Sequence, residues 1–314
     1  MRRNSGRLSR GDPAISETRR SGGELSNGSL RLRIRAQMIA PPQYWGQSYL
    51  EGSGTIPLQK KRIPAKQLNH RLNETTLSAR RLLLPLPRPM IQAVFLRRPQ
   101  RFLAEVMLGP RRVLAYCPNP GSFSGCLEPG SKALLWKSTD ARRKRTLTLR
   151  AVRHAGVWIG TDTHLANRIA EAAIRAGVIQ SLAKSVICQR EPRGDAGCRL
   201  DLSLLNGHQE VLVEVKSAMV AHSGIAQFPD SPSLRAVAHL KELTRRARLG
   251  QHAVLLFVVQ RGDVSSLQIN GSCYLPFTIA YREAVEAGVD VHAIRLTVSA
   301  RGFVDPCEIS VTRP

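Results

Sequence analysis

The stretch that most restricts this chain is residues 198–219, which reads CRLDLSLL, then NGHQE, then VLVEVKSAM. Two aliphatic runs flank a short polar turn containing Asn206-Gly207, the composition of a β-hairpin. Side chains two apart on a strand share a face, so Glu214 and Lys216 point the same way, and Asp201 ends the facing run. Val211, Leu212, Val213 and Val215 make the second run almost continuously apolar, as in a strand covered on both faces. Charges in such a strand are costly unless paired or bound to a cation. Two carboxylates and an ammonium at one sheet edge suit a divalent cation and a polarised water, the requirements of phosphodiester cleavage. The same E-x-K spacing also suits a cross-strand ion pair on a solvated face.

At 314 residues the chain has room for two domains. No run approaches the roughly 20 apolar residues of a membrane span, so no membrane association is expected. The six cysteines (117, 126, 188, 198, 273 and 307) form no C-x-x-C pair. Reduced thiols and a cytoplasmic location are therefore expected, rather than zinc or a disulfide framework. The net charge is +24. It is spread along the chain, with 16 Lys and Arg against 5 Asp and Glu up to Arg81 and 31 against 18 beyond it. A polyanion, most simply DNA, is the expected partner.

Residues 1–81 read as a basic extension rich in Arg, Ser, Gly, Asn and Pro, too poor in periodic apolar residues to offset the entropy of ordering. A disordered arm, a transit peptide and a start assigned too far upstream compete. Asp12, Glu17 and Glu24 argue against the transit peptide, and the upstream start is favoured. Residues 82–155 are expected to form a small OB-like β-barrel from runs at Ile91–Leu96, Arg101–Leu108, Arg112–Tyr116, Lys132–Lys137 and Leu147–Val152. Within it, Arg142, Arg143, Lys144 and Arg145 make a basic loop suited to tracking phosphates. Residues 156–314 read as an α/β domain. Helices are expected at Asp162–Ala176, closed by Gly177, at Ser233–Leu249 and at Tyr281–Ala287; core strands are expected at Ala253–Gln260 and Val289–Val298. The fold class is thus mixed α+β, a barrel followed by one central sheet.

The chain from about Leu84 onward resembles the sugar fermentation stimulation protein (SfsA) family. The resemblance is carried by RFLAEV (101–106), CPNPGS (117–122), THLANRIAEAAI (163–174), RLD (199–201), VEVKSA (213–218), FPD (228–230), HLKEL (239–243) and AVLLFVVQRGD (253–263). It implies an OB-like barrel followed by a domain similar to PD-(D/E)XK nucleases, in DNA-binding proteins linked to regulation of sugar (maltose) utilisation. It places Asp201, Glu214 and Lys216 where the nuclease-type residues sit, and suggests a start near Leu82. Several positions depart from the family pattern. Tyr116 replaces the usual His and Pro120 the frequent Thr. Ser233-Leu234-Arg235-Ala236 replaces Thr-Glu-Arg-Gly, which removes a carboxylate at Leu234. Thr139-Asp140-Ala141 replaces Ser-Asp-Asn. The family's helix glutamate falls at Ala172, with Glu171 beside it.

Asp201 and Glu214 are the expected ligands of Mg²⁺, with the Val215 carbonyl, and Glu171 or Asp230 as a further ligand. Lys216 would orient a metal-bound hydroxide or offset phosphorane charge. Gln260 is a candidate to position water or phosphate, and Asn167 and Arg168 to contact a phosphate. His239 is expected to pack a helix, with proton transfer as the alternative role, and Gly121 to supply a positive φ. No aromatic or polar set suited to a sugar is evident, so no small-molecule ligand is expected. Two readings remain open: a DNA-binding regulator on a nuclease-like scaffold, and an active Mg²⁺-dependent nuclease acting on DNA or RNA.

Overall fold

The computed structural model describes residues 81–192 and 198–312. The basic extension assigned to residues 1–81 therefore lies, apart from Arg81, outside the described residues. Six strands make a first sheet: β2 (Met90–Gln100), β3 (Leu103–Leu108), β4 (Arg111–Tyr116), β5 (Lys132–Lys137), β6 (Leu147–His154) and β7 (Val157–Gly160). β2 pairs with both β3 and β5, β3 with β4, and β5 with β6. A parallel pairing of Tyr116 with Thr148 joins β4 to β6 and closes the ring β2-β3-β4-β6-β5. This is the OB connectivity, and all five expected barrel strands are in it. Alternation supplies the filling: Phe95, Ala104, Val106, Ala115, Ala133, Leu135 and Leu149 point inward. Irregular register in β2–β3 and β5–β6 bends the strands enough for closure.

The second sheet runs β11-β12-β14-β16-β15-β13-β10-β9-β8. Its centre is β10 (Gln209–Ala218), β13 (His252–Val259) and β15 (Asp290–Val298), all parallel. β9 (Leu202–Asn206) returns antiparallel on β10 through the expected tight turn, where Gly207 takes φ +63°. β8 (Val186–Arg190) extends this side; β16 (Gly302–Thr312), β14 (Ser266–Ile269), β12 (Ile225–Phe228) and β11 (Ala221–His222) extend the other. Helix α1 (Ala166–Arg175) covers one face, setting Ile169, Ala173 and Ile174 among Val213, Val254 and Leu256. Helices α2 (Leu234–Arg248) and α3 (Leu275–Glu286) cover the other, with Leu240, Leu243, Phe277 and Tyr281 against Leu255, Phe257 and Ala293. Leu134 and Ala151 of the barrel are buried in the core beneath α1, so barrel and sheet share packing.

Some expected boundaries shift. β1 (Leu82–Pro85) pairs with β16 in the large sheet rather than within the barrel. β7, assigned to the second domain, pairs with β6 in the barrel sheet. The barrel's strands therefore run from Met90 to Gly160. The first helix begins as a 3₁₀ turn over Thr163–Leu165, capped by the Asp162 side chain on the His164 N–H, and ends at Gly177 with φ +67°. Helix α3 starts six residues before the expected Tyr281, with Pro276 in its first turn, where a missing N–H costs nothing. No helix among the described residues is long and apolar enough to cross a membrane.

Candidate functional site

The end of β9, the middle of β10, the starts of α1 and α2 and two loops enclose a cavity of about 390 Å³. Asp201, Glu214 and Lys216 all line it, as do Asn119, Asn167, Asp230 and His239. The alternation of β10 puts Glu214 and Lys216 on one face, where the Lys216 ammonium donates to Glu214 Oε1 at 2.5 Å. Asp201 caps the neighbouring strand: its Oδ2 accepts the Val215 N–H at 2.8 Å and its Oδ1 accepts from the Asn167 amide at 2.7 Å. Asn167, expected to meet a phosphate, instead orients this carboxylate. Burial, and then the nearby Glu214 charge, push the Asp201 pKa up to about 6 against the opposing pull of Val215, Asn167 and Lys216. For Glu214, burial alone would raise the pKa; the Lys216 charge and the His239 hydrogen bond outweigh it and hold the carboxyl below its ordinary range.

His239, read from the sequence chiefly as a helix-packing residue, lines the cavity. It sits on the buried side of α2, and its Nδ1 meets Glu214 Oε1. Arg235, one turn earlier, donates Nε–H to His239 Nε2 at 3.2 Å. A guanidinium can only donate, so Nε2 carries the lone pair and Nδ1 carries the proton given to Glu214. One oxygen of Glu214 thus receives two donors, while Oε2 is buried without any hydrogen-bond partner. A buried carboxylate oxygen left so, beside a second carboxylate, suits a hard cation that supplies the missing positive charge. Among the described residues no three His, Cys, Asp or Glu converge to hold a metal. A cation placed here would have Asp201, Glu214 and the Val215 carbonyl as protein ligands, oxygen donors of the kind Mg²⁺ takes.

The other candidates lie around this centre. Glu171 does not line the cavity; Arg190 clamps both its oxygens, at 2.6 and 2.7 Å. Asp230 lines the cavity from the loop after β12, and its carboxylate rests against Gly121. A Cβ on Gly121 would lie 2.3 Å from Asp230 Oδ2. Gly121 is not among the glycines with positive φ, so close approach, rather than the expected left-handed backbone, requires it. Arg98 fixes that barrel loop by donating to the carbonyls of Asn119 and Gly121. Gln260 is fully buried and lies outside the cavity lining, donating to Ser217 Oγ at 2.8 Å and to the Asp162 carbonyl at 3.1 Å. The geometry makes it a bolt between sheet and barrel rather than a group facing the cavity.

The basic loop joins β5 to β6. Arg142 is exposed and pairs with Asp140 at 3.0 Å; Arg143 lies 5.3 Å over the Trp136 ring. Arg150 stacks on the same ring and pairs with buried Asp162. Burial, then the charges of Arg143 and Arg168, lower the Arg150 pKa to about 10. The loop and the α1 residue Arg168 thus contribute to one positive region, with Lys144 also exposed and Arg145 half-buried.

Residues 164–302 match the family model described as the sugar fermentation stimulation protein RE domain, and residues 96–161 match the SfsA N-terminal OB domain. A sugar fermentation stimulation protein homolog of Thioalkalivibrio sulfidiphilus is 42% identical over 218 residues, 68% of this chain and 92% of its own length. A homolog from Geobacter sulfurreducens is 38% identical over 228 residues, 72% of this chain and 95% of its own. A solved structure, titled as Pyrococcus furiosus SfsA in complex with Ca²⁺, superposes with a TM-score of 0.68 at 29% identity. It covers 74% of this chain and 99% of that one. On these matches the chain belongs to the sugar fermentation stimulation protein family.

Proposed function

We propose that this chain binds DNA across the positive region of its barrel and helix α1 and holds a divalent cation, Mg²⁺ in the cell, between Asp201 and Glu214. The observation that carries this reading is the buried, unpartnered Oε2 of Glu214 beside Asp201. The Ca²⁺ complex named for the Pyrococcus furiosus relative supports a hard cation in this fold. When bound, such a cation lowers the pKa of a ligated water and offsets phosphate charge. Lys216 lies at the cavity wall with its ammonium on Glu214, placed to stabilise charge developing on a phosphorane. Together these groups suit phosphodiester cleavage. The family's name, which refers to sugar fermentation, supports a DNA-directed role in sugar (maltose) utilisation, and the free cysteines support a cytoplasmic setting for it.

One observation favours a second reading, DNA binding without cleavage. Arg190 closes off Glu171, one of the two carboxylates expected as a further ligand, and only Asp230 of that pair lines the cavity. The full chain incubated with labelled single- and double-stranded DNA, with Mg²⁺, Mn²⁺ or chelator, decides between the two. Products that need metal and vanish in Lys216→Ala establish the hydrolase. Tight binding with intact DNA over hours in both proteins establishes the regulator. No DNA binding in low salt overturns both.

A further inference from the structure

Ser181, His292 and Glu308 form a hydrogen-bonded row on the sheet face opposite Glu214, and none of them lines the cation cavity. Parity fixes the face. His292 alternates with Ile294 and Leu296, which lie in the core beneath α1, whereas Glu214 alternates with Leu212, which lies beneath α2 and α3. Glu308 of β16 is the register partner of Ile294, so it stands on the same face as His292. Ser181 comes from a 3₁₀ turn, Gln180–Leu182, pinned by fully buried Ile179 and Leu182. Three elements thus supply the three groups, and 111 residues separate the serine from the imidazole it meets.

The His292 Nδ1–H donates to Glu308 Oε1 at 2.7 Å. An ionised carboxylate only accepts, so Nδ1 carries the proton and Nε2 the lone pair. Nε2 in turn accepts the Ser181 hydroxyl, at 3.2 Å. Nucleophile, base and orienting carboxylate within hydrogen-bond reach are what activates a serine, an arrangement recognised by geometry rather than by fold or chain order. The Ser181 side is open to solutes, while the His292 side chain is only 17% exposed and is held between its two partners. Asn206, at the turn joining β9 to β10, donates one side-chain N–H to the Ser181 carbonyl at 3.4 Å. The other N–H of that amide is a donor on hand for an oxyanion.

We propose that Ser181 is a nucleophile toward small activated acyl esters, with His292 as general base and Glu308 as the positioning residue that fixes the imidazole. The hydroxyl stands at the surface, so the class is small acyl groups on good leaving alcohols. Ser181 Oγ bonds to the acyl carbon as its proton passes to His292 Nε2; the ester C–O bond breaks and the alcohol departs with that proton. Water then attacks the acyl-serine, gives a proton through His292 to Ser181 Oγ, and releases the carboxylic acid. This activity is independent of the DNA-binding reading above.

The test treats the full chain with a fluorophosphonate, which phosphonylates an activated serine as fluoride leaves, and locates the label by peptide mass spectrometry. Release of p-nitrophenol from p-nitrophenyl acetate reads turnover in parallel. The expected label is on Ser181, and Ser181→Ala, a change at an exposed position, should lose it while keeping the wild-type Tm. His292→Gln should slow labelling roughly a hundredfold, the worth of a general base. Glu308→Gln no longer fixes the tautomer and should slow it by roughly tenfold or more. A wild-type Ser181 that stays unlabelled, or one labelled equally fast in His292→Gln, overturns the proposal and makes the row a surface hydrogen-bond chain.

Discussion

Glu214 shows how a single side chain is tuned by two neighbours. Lys216 and His239 share one oxygen and the other has no partner, so the carboxylate is held in one rotation with its unpaired oxygen inward. Such outer contacts commonly set metal affinity by 10- to 100-fold. His239→Phe is therefore expected to weaken Ca²⁺ binding about tenfold in a calorimetric titration, while His239→Asn, which can still offer a side-chain N–H, retains most of it. Asp201→Asn should abolish binding, since one of two carboxylates is gone. Gly121→Ala would push a methyl into the Asp230 carboxylate. A loss of about 1–3 kcal/mol in chemical denaturation is expected for such overpacking. Asp201, Glu214 and Lys216 were legible in the sequence because strand periodicity alone brings the last two together. The partner of His239 was not: its contact with Glu214 spans 25 residues and depends on how α2 lies against β10.

At the level of elements, α2 carries an internal charge lock. Arg245 forks onto Glu242 at 2.9 Å from both nitrogens and Arg246 adds a hydrogen bond at 2.7 Å. The Arg245 hydrogen bond first, and then that of Arg246 against a partial burial cost, take the Glu242 pKa down to about 2. A depressed carboxylate stabilises the fold above its unfolded pKa, near 4.5, and loses that contribution as pH falls toward 2. The stability difference between wild type and Glu242→Gln should therefore be full at pH 7 and shrink between pH 4.5 and 2 in urea titrations. Sequence periodicity located β10, β13, α1 and α2, where one face is uniformly apolar. It missed the start of α3, whose buried set mixes Thr278 and Tyr281 with Phe277, Ala280 and Ala284. The edge strands β8 and β11, and β12 beside β11, also escaped it. They are short, and residues such as Gln189 and Arg190 leave no alternation to read.

At the scale of the molecule, cations from two parts of the described fold meet around Arg150. The loop of Arg142–Arg145 belongs to the barrel and Arg168 to a helix on the large sheet, yet both reach the surroundings of Arg150. Replacing Arg142, Arg143, Lys144 and Arg145 by Gln should weaken DNA binding. It should also flatten the plot of log affinity against log salt by roughly 0.9 for each duplex phosphate that is no longer neutralised. Filter binding between low and physiological salt measures both. Ca²⁺ affinity should not move, because none of the four lines the cavity.

The pairing of β1 with β16 sets Leu82 against Val304. The strand that opens the described chain can find its partner only after β16 has been made. At about 5–20 residues per second, the roughly 220 residues between them take on the order of 10–45 s to emerge. Through that interval the barrel can close on itself while the large sheet waits with an open flank. Among the described strands, the first to be made is paired only after the last has emerged.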